Sequence, residues 1–219
     1  METIKDLVNT RKGESALIIG AGAAIKEEAD NIDAFIKRKK PFTLGINNMT
    51  SFWVPDYHVW TNTQRFRTYG ESINPNSHLL LGQNIPLKVI RNVIGGRDYI
   101  LINYTDMKEG VPLGYKDGKI YGYFRTAGNL AIMIAHLMGA SEVNIVGADG
   151  YSLHKREDLV KGQESHHCYG NGFTDTADWE TCVKKDKIIN NVLNNLREYG
   201  IDFKILTPTK YEDFYKKVW

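Results

Sequence analysis

Apolar residues come in short blocks along this chain, and each block is closed by a turn-forming polar residue or glycine. Residues 16–19 run into Gly20-Ala21-Gly22, and residues 42–46 into Asn47-Asn48. Residues 57–60 are followed by Thr61 and Asn62, and residues 143–146 by Gly147-Ala148-Asp149-Gly150-Tyr151. Blocks of this length between such residues read as buried strands. Residues 78–82, 99–103 and 203–206 are strands on the same grounds, the last closed by Thr207-Pro208-Thr209. Between the blocks the period changes. Ile25, Ala29, Ile32, Phe35 and Ile36 fall at helical spacing over 25–39. Residues 128–138 are apolar nearly all round, which predicts a buried helix. Residues 179–199 form a long amphipathic helix that Gly200 is suited to stop.

Residues 2–12 read as a short polar helix or tail, and 211–219 as a docked C-terminal helix. Asp117-Gly118 predicts a hairpin turn within the glycine- and tyrosine-rich stretch 106–124. Residues 153–178 are polar and without a period. A loop of that length, near 152–178, is uncommon in a compact domain and tends to be functional or mobile. Strands thus alternate with helices over most of the chain. The pattern predicts one α/β domain over 1–219, a mostly parallel sheet with helices on both faces. Ligands of such sheets bind outside the carboxyl ends of the strands.

Composition narrows the class. The chain has 219 residues and a formal net charge of +2, so no global field favours nucleic acid or a membrane surface. The basic run Lys37-Arg38-Lys39-Lys40 reads as a solvated helix end. The first residues are polar and charged, unlike a signal peptide, and no apolar run approaches the ~20 residues of a membrane span. Cys168 and Cys182 are too few for a disulfide framework. A cytoplasmic location is the expectation.

The polar residues at the strand ends are the candidates for chemistry. Gly20, Ala21 and Gly22 lie between a strand and a helix, where backbone N–H groups can meet a phosphate. The third glycine of a dinucleotide fingerprint is absent, because that position is Ile25, and Asn47 stands where an acidic ribose ligand would. A mononucleotide is the better match. Asn47 and Asn62 carry amides suited to a base edge, a ribose hydroxyl or a phosphate oxygen, or simply to turns. Thr126, with Ala127 and Gly128 behind it, is suited to cap the buried helix and to bind an anion there, with Arg125 adding charge. Asp149 could hold a ribose hydroxyl, an acceptor or a metal, or cap a helix, and Tyr151 could donate to a departing phosphate.

Three of the six histidines, His154, His166 and His167, fall in the polar loop, where a general base is plausible chemistry. Their spacing with the cysteines matches no closed zinc motif. Tyr69, Tyr104, Tyr115, Tyr121 and Tyr123 could line an acceptor cleft or pack.

Several of these blocks, taken in order, resemble the small Rossmann-like bacterial sialyltransferases that use CMP-sialic acid. They also resemble the related domain family named for hydroxymethyl-pterin pyrophosphokinase. The matching blocks are 16–23, Gly45-Ile46-Asn47-Asn48, Trp60-Thr61-Asn62, 125–139, 142–151, Ser165-His166, Thr174-Asp175 and 203–208. The resemblance implies a Rossmann-like fold and CMP held by Gly20, Gly22, Asn47 and Asn62. It implies donor contacts from Thr126, Ala127 and Gly128, and help to the leaving phosphate from Tyr151, with no metal required. The chain departs from the pattern in three places. Ala23-Ala24 replaces a Pro-Ser, Asn171 stands where the base histidine would, and no second tyrosine follows Tyr151 before His154. His166 or His167 is then the expected base.

The leading expectation is a transferase with a nucleotide-activated donor, a CMP-sugar-dependent glycosyltransferase of surface-glycan synthesis acting on a glycan or small-molecule acceptor. One alternative is a pyrophosphokinase that binds ATP or GTP, with Mg²⁺ on Asp149 and Asp175. A third is a non-catalytic nucleotide-sugar-binding domain. A homo-oligomer is compatible with each.

Overall fold

A computed structural model describes residues 2–49, 52–106, 110–153, 167–168 and 179–219. The chain begins with β1 (Glu2–Thr3), α1 (Ile4–Leu7), β2 (Ser15–Ile19), α2 (Ala24–Glu27), α3 (Ala29–Lys39), β3 (Phe42–Ile46) and β4 (Tyr57–Trp60). It continues through α4 (Thr63–Tyr69), β5 (His78–Gly82), α5 (Leu87–Ile94), β6 (Ile100–Ile102), β7 (Tyr104–Asp106), β8 (Gly114–Lys116) and β9 (Lys119–Gly122). It ends with α6 (Ala127–Leu137), β10 (Glu142–Val146), α7 (Trp179–Glu198) and β11 (Phe203–Ile205).

Eight strands form one sheet in the order β1-β6-β5-β4-β3-β2-β10-β11. Every pairing in it is parallel. From β2 the chain lays β3, β4, β5 and β6 outward to one side, then returns to place β10 and β11 on the other. The order therefore reverses between β2 and β10, the position where open α/β sheets form their ligand crevice.

Strand residues alternate between the two faces, as the two-residue period requires. Ala16, Ile18, Val143 and Ile145 join the core under α6 and α7. Leu17, Ile19 and Val146 turn to the opposite face with Ile25, Ile32 and Phe35 of α2 and α3. Farther along that second face, Leu79 and Leu81 pack with Phe66 of α4 and Ile90 of α5. Helices thus cover both faces, as the pattern of elements predicts, and the fold is of the Rossmann-like α/β class that the resemblance implies. Helix α6 is buried on nearly every side, in keeping with its uninterrupted apolar composition.

Three local expectations are corrected. Residues 2–12 give a two-residue edge strand and a single helical turn rather than one helix. Residues 9–13 then cover the end of α6, where the N–H groups of Asn9, Arg11 and Gly13 donate to the carbonyls of Leu137, Met138 and Gly139. A helix end needs such acceptor partners. The segment 25–39 is divided into α2 and α3 at Glu28. Residues 211–219 form a short 3₁₀ turn, Glu212–Phe214, followed by an extended Tyr215 and a non-helical end. Tyr215 bridges Ile205, and Trp219 donates to Glu28 Oε2 at 2.8 Å. Part of the β11 edge is thereby paired.

The glycine- and tyrosine-rich stretch builds a small three-stranded sheet, β7-β9-β8. Asp117 (φ +53°) and Gly118 (φ +77°) make the expected tight turn between β8 and β9.

Candidate functional site

The carboxyl ends of β2 and β10 meet at the reversal point, and the glycines there are required by packing. Gly20 donates to Val146 O at 2.8 Å, and Gly22 to Gly147 O at 3.0 Å. A Cβ on Gly20 would lie 2.5 Å from Gly147 O, and one on Gly147 would lie 2.7 Å from Gly20 O. The two loops therefore touch backbone to backbone, which only glycine permits. A Cβ on Gly22 would meet the Asp149 carboxylate and Gly147 O.

Asp149 is 2% exposed, and its Oδ2 accepts the N–H of Ala24 at 2.8 Å. The start of α2, the expected phosphate site, is thus already occupied by a carboxylate. A phosphate at that point would face like charge.

A second helix start is placed differently. Thr126 caps α6, its Oγ1 accepting the N–H of Asn129 at 3.2 Å. The N–H groups of Ala127 and Gly128 have no partner within the helix. The turn before the cap is tight. Thr126 N–H donates to Phe124 O at 2.6 Å, and Arg125 between them has φ +62°, an uncommon conformation for a non-glycine residue. Asp106 Oδ1 steadies the turn by accepting the N–H of Phe124 at 2.9 Å.

These pieces line one cavity of about 150 Å³. Gly20, Ala21 and Gly22 form one wall, Thr126, Ala127 and Gly128 another, and Asp149 and Tyr151 a third. Asn47 and His167 also reach it, above an apolar floor that includes Ile18, Ile132 and Ile189. Asn47 is left-handed (φ +54°), and its carbonyl accepts from His58 Nε2 at 2.5 Å. Its Oδ1 is buried with no hydrogen-bond partner among the described residues, so it offers an acceptor to a donor group on a ligand. His58 itself is fully buried, and desolvation lowers its pKa to about 4. It is therefore a neutral structural donor.

His167 is fixed against the glycine loop. Its backbone bridges Gly22, and the next N–H, that of Cys168, donates to Ala21 O at 2.8 Å. Its Nε2 lies 3.0 Å from Arg65 Nη2.

Two expected residues stand outside the cavity lining. Asn62 caps α4, its Oδ1 accepting the N–H of Arg65 at 2.9 Å. Arg125 is exposed. His154, His166, Asn171 and Asp175 lie outside the described residues. Tyr69, Tyr104, Tyr115, Tyr121 and Tyr123 are absent from the lining. Tyr104 instead donates to Asn84 Oδ1 at 3.2 Å.

Asp186 and Tyr211 escaped the sequence reading. Asp186 Oδ1 accepts the N–H of Tyr151 at 2.8 Å and the hydroxyl of Tyr211 at 2.9 Å. Its Oδ2 accepts the N–H of Ser152 at 2.8 Å and its hydroxyl at 2.6 Å. This carboxylate, 7% exposed, holds the loop that carries Tyr151. Burial and the neighbouring Asp186 charge push the Tyr211 phenol far above its ordinary pKa, so Tyr211 is a fixed donor at the cavity edge. A signal for Asp186 was present. It interrupts the buried stripe Cys182, Ile189, Leu193 and Leu196 of an otherwise amphipathic helix.

Among the described residues no group of three or more His, Cys, Asp or Glu could hold a metal ion, and no helix is long and apolar enough to cross a membrane.

No family model matches the chain, and no curated protein matches it. Among solved structures it is similar to the MAf glycosyltransferase from Magnetospirillum magneticum AMB-1, with a TM-score of 0.53 at 14% identity. The match covers 98% of this chain and 38% of that one. At that identity the likeness is one of fold, and the chain spans well under half the length of that protein.

Proposed function

We propose that this chain is a glycosyltransferase-type transferase that takes a nucleotide-activated sugar, with a CMP-sugar as the preferred donor. The observation that carries the proposal is the convergence on one cavity of the β2 glycine loop, the capped start of α6, Asn47 and Tyr151, at the point where strand order reverses. The fold likeness to a glycosyltransferase agrees with it.

The donor phosphate is assigned to the start of α6, because Asp149 holds the start of α2. There the N–H groups of Ala127 and Gly128 and the helix dipole meet the charge that grows as the sugar–phosphate bond breaks. Tyr151 donates to the same leaving group. Asn47 takes a base or ribose group through its unpaired Oδ1. The cavity is smaller than the 300–1,000 Å³ or so of typical ligand sites, so part of the donor extends beyond it. A glycan or small-molecule acceptor supplies a hydroxyl oxygen, which loses its proton to a general base or water and bonds to the anomeric carbon as the phosphate leaves with the electron pair of the broken sugar–phosphate bond. No metal is required in this scheme, and surface-glycan synthesis is the setting it fits.

Calorimetric titration with CMP, CDP, ATP and GTP, each with and without Mg²⁺, tests the reading. Binding of CMP or CDP that is indifferent to metal is the expected result, together with hydrolysis of a CMP-sugar without added metal. ATP or GTP binding that needs Mg²⁺ would move the assignment to pyrophosphoryl transfer. CMP binding without turnover would make this a binding domain. Absence of all nucleotide binding would overturn the proposal.

A further inference from the structure

We propose that Arg65 is a positioning residue that fixes His167 as a neutral, Nδ1-protonated imidazole, so that this ring does not act as the base of the cavity. Its bearing on catalysis rests on the transferase reading above, but its geometry does not.

The backbone places both partners. His167 is tied to the glycine loop through its bridge to Gly22 and the Cys168 N–H on Ala21 O. Arg65 lies in the first turn of α4, set by the Asn62 cap that accepts its own N–H. From there Nη2 reaches His167 Nε2 at 3.0 Å.

The chemistry of the pair decides the proton. A guanidinium has five N–H donors, no acceptor, and stays charged in proteins. The nitrogen facing it must present a lone pair. That nitrogen is Nε2, so the single proton of the neutral ring sits on Nδ1. A protonated ring has no lone pair to offer and would set a second cation against the first. While Arg65 is in place, His167 has no basic nitrogen left for an acceptor hydroxyl. The released proton then goes to a group other than His167.

Nitrogen-15 NMR of the labelled full chain reads this directly. Long-range proton–nitrogen spectra, recorded above the imidazole titration range, separate the two tautomers of each ring. The His167 signals are assigned by their loss in His167→Gln. The expected result is a protonated Nδ1 and a bare Nε2 in the unsubstituted chain. Arg65→Met keeps the aliphatic stem, removes the donors, and is expected to shift the ring toward the Nε2–H form that free imidazoles prefer. Arg65→Lys keeps a cationic donor and is expected to retain the Nδ1–H form. A protonated Nε2 in the unsubstituted chain would overturn the proposal. So would a tautomer that stays unmoved in a folded Arg65→Met chain. If Arg65→Met fails to fold, the unsubstituted and Arg65→Lys spectra decide. The readout needs neither nucleotide nor turnover, so failure here leaves the transferase reading standing, and failure of that reading leaves the tautomer assignment standing.

Discussion

Asp149 Oδ2 accepts the backbone N–H of Ala24 at 2.8 Å, which joins the loop after β10 to the start of the helix after β2. The contact spans the reversal point of the sheet and redirects the electrostatics of the glycine loop. A free helix start there would attract phosphate. With a buried carboxylate on it, the transferase reading puts the donor phosphate at the start of α6 instead. Asp149→Ala is expected to lower stability by about 1–3 kcal/mol, the range for losing a cap while leaving a buried donor unpaired. Asp149→Asn, which keeps an acceptor oxygen, is expected to lose less. Urea midpoints of the two variants at constant m-value check this.

The glycine pair makes a steric prediction. A Cβ on Gly22 would lie 2.6 Å from the Gly147 carbonyl oxygen and would also press on Asp149. Gly22→Ala is expected to cost about 1–3 kcal/mol, as overpacking in a tight site does. Gly96 is the control, with ordinary φ and nothing within 4 Å of an added Cβ. Gly96→Ala is expected to be neutral or slightly stabilising through the unfolded state. Equal thermal midpoints for the two variants would refute the packing account.

Asp186 organises the loop behind Tyr151. Removing it in Asp186→Ala leaves the N–H groups of Tyr151 and Ser152 and two hydroxyls without their acceptor. A loss of about 3 kcal/mol or more is expected. Tyr211→Phe removes one of those bonds and is expected to cost about 1 kcal/mol. Under the transferase reading, Tyr211→Phe retains nucleotide binding, whereas Asp186→Ala weakens it along with stability. Chemical denaturation paired with CMP titration separates the two effects.

His58 makes stability depend on pH. Its pKa is lowered by burial from 6.5 to about 4. The unfolded chain therefore binds this proton first as pH falls. The stabilisation is intact above pH ~6.5 and is lost progressively toward pH ~4, with a total near 3 kcal/mol. His58→Gln keeps a donor for the Asn47 carbonyl without titrating. The stability difference between the unsubstituted chain and His58→Gln is expected to shrink or reverse as pH falls from 7 to 4. A difference that is constant over that range would show that His58 does not titrate on unfolding.

Much of the scaffold was legible in the residues. The five-residue block of β3, the four-residue block of β4 and the apolar run of α6 appear where their patterns place them, because burial on both faces demands a predominantly apolar sequence, with Thr43 and His58 the buried polar exceptions in the two strands. Helix α5 was passed over. Its eight residues, started by Pro86, show Leu87, Val89, Ile90, Val93 and Ile94 in a pattern too short to separate helix from strand. The C-terminal segment misled in the opposite direction, since its Tyr215 and Trp219 pack against β11, α2 and α3, partners remote in sequence.

For the site, composition and spacing alone determined which residue types stand at strand ends, since turn chemistry is local and leaves its mark as glycine, asparagine and aspartate. Tertiary structure decided what each of them does. Asp149 became the cap of a helix 125 residues away in the chain, Asn62 the cap that aims Arg65, and Asp186 the anchor of the Tyr151 loop. Those roles depend on which strand lies beside which, and the reversal between β2 and β10 is settled by long-range packing of the whole sheet, which no local pattern encodes.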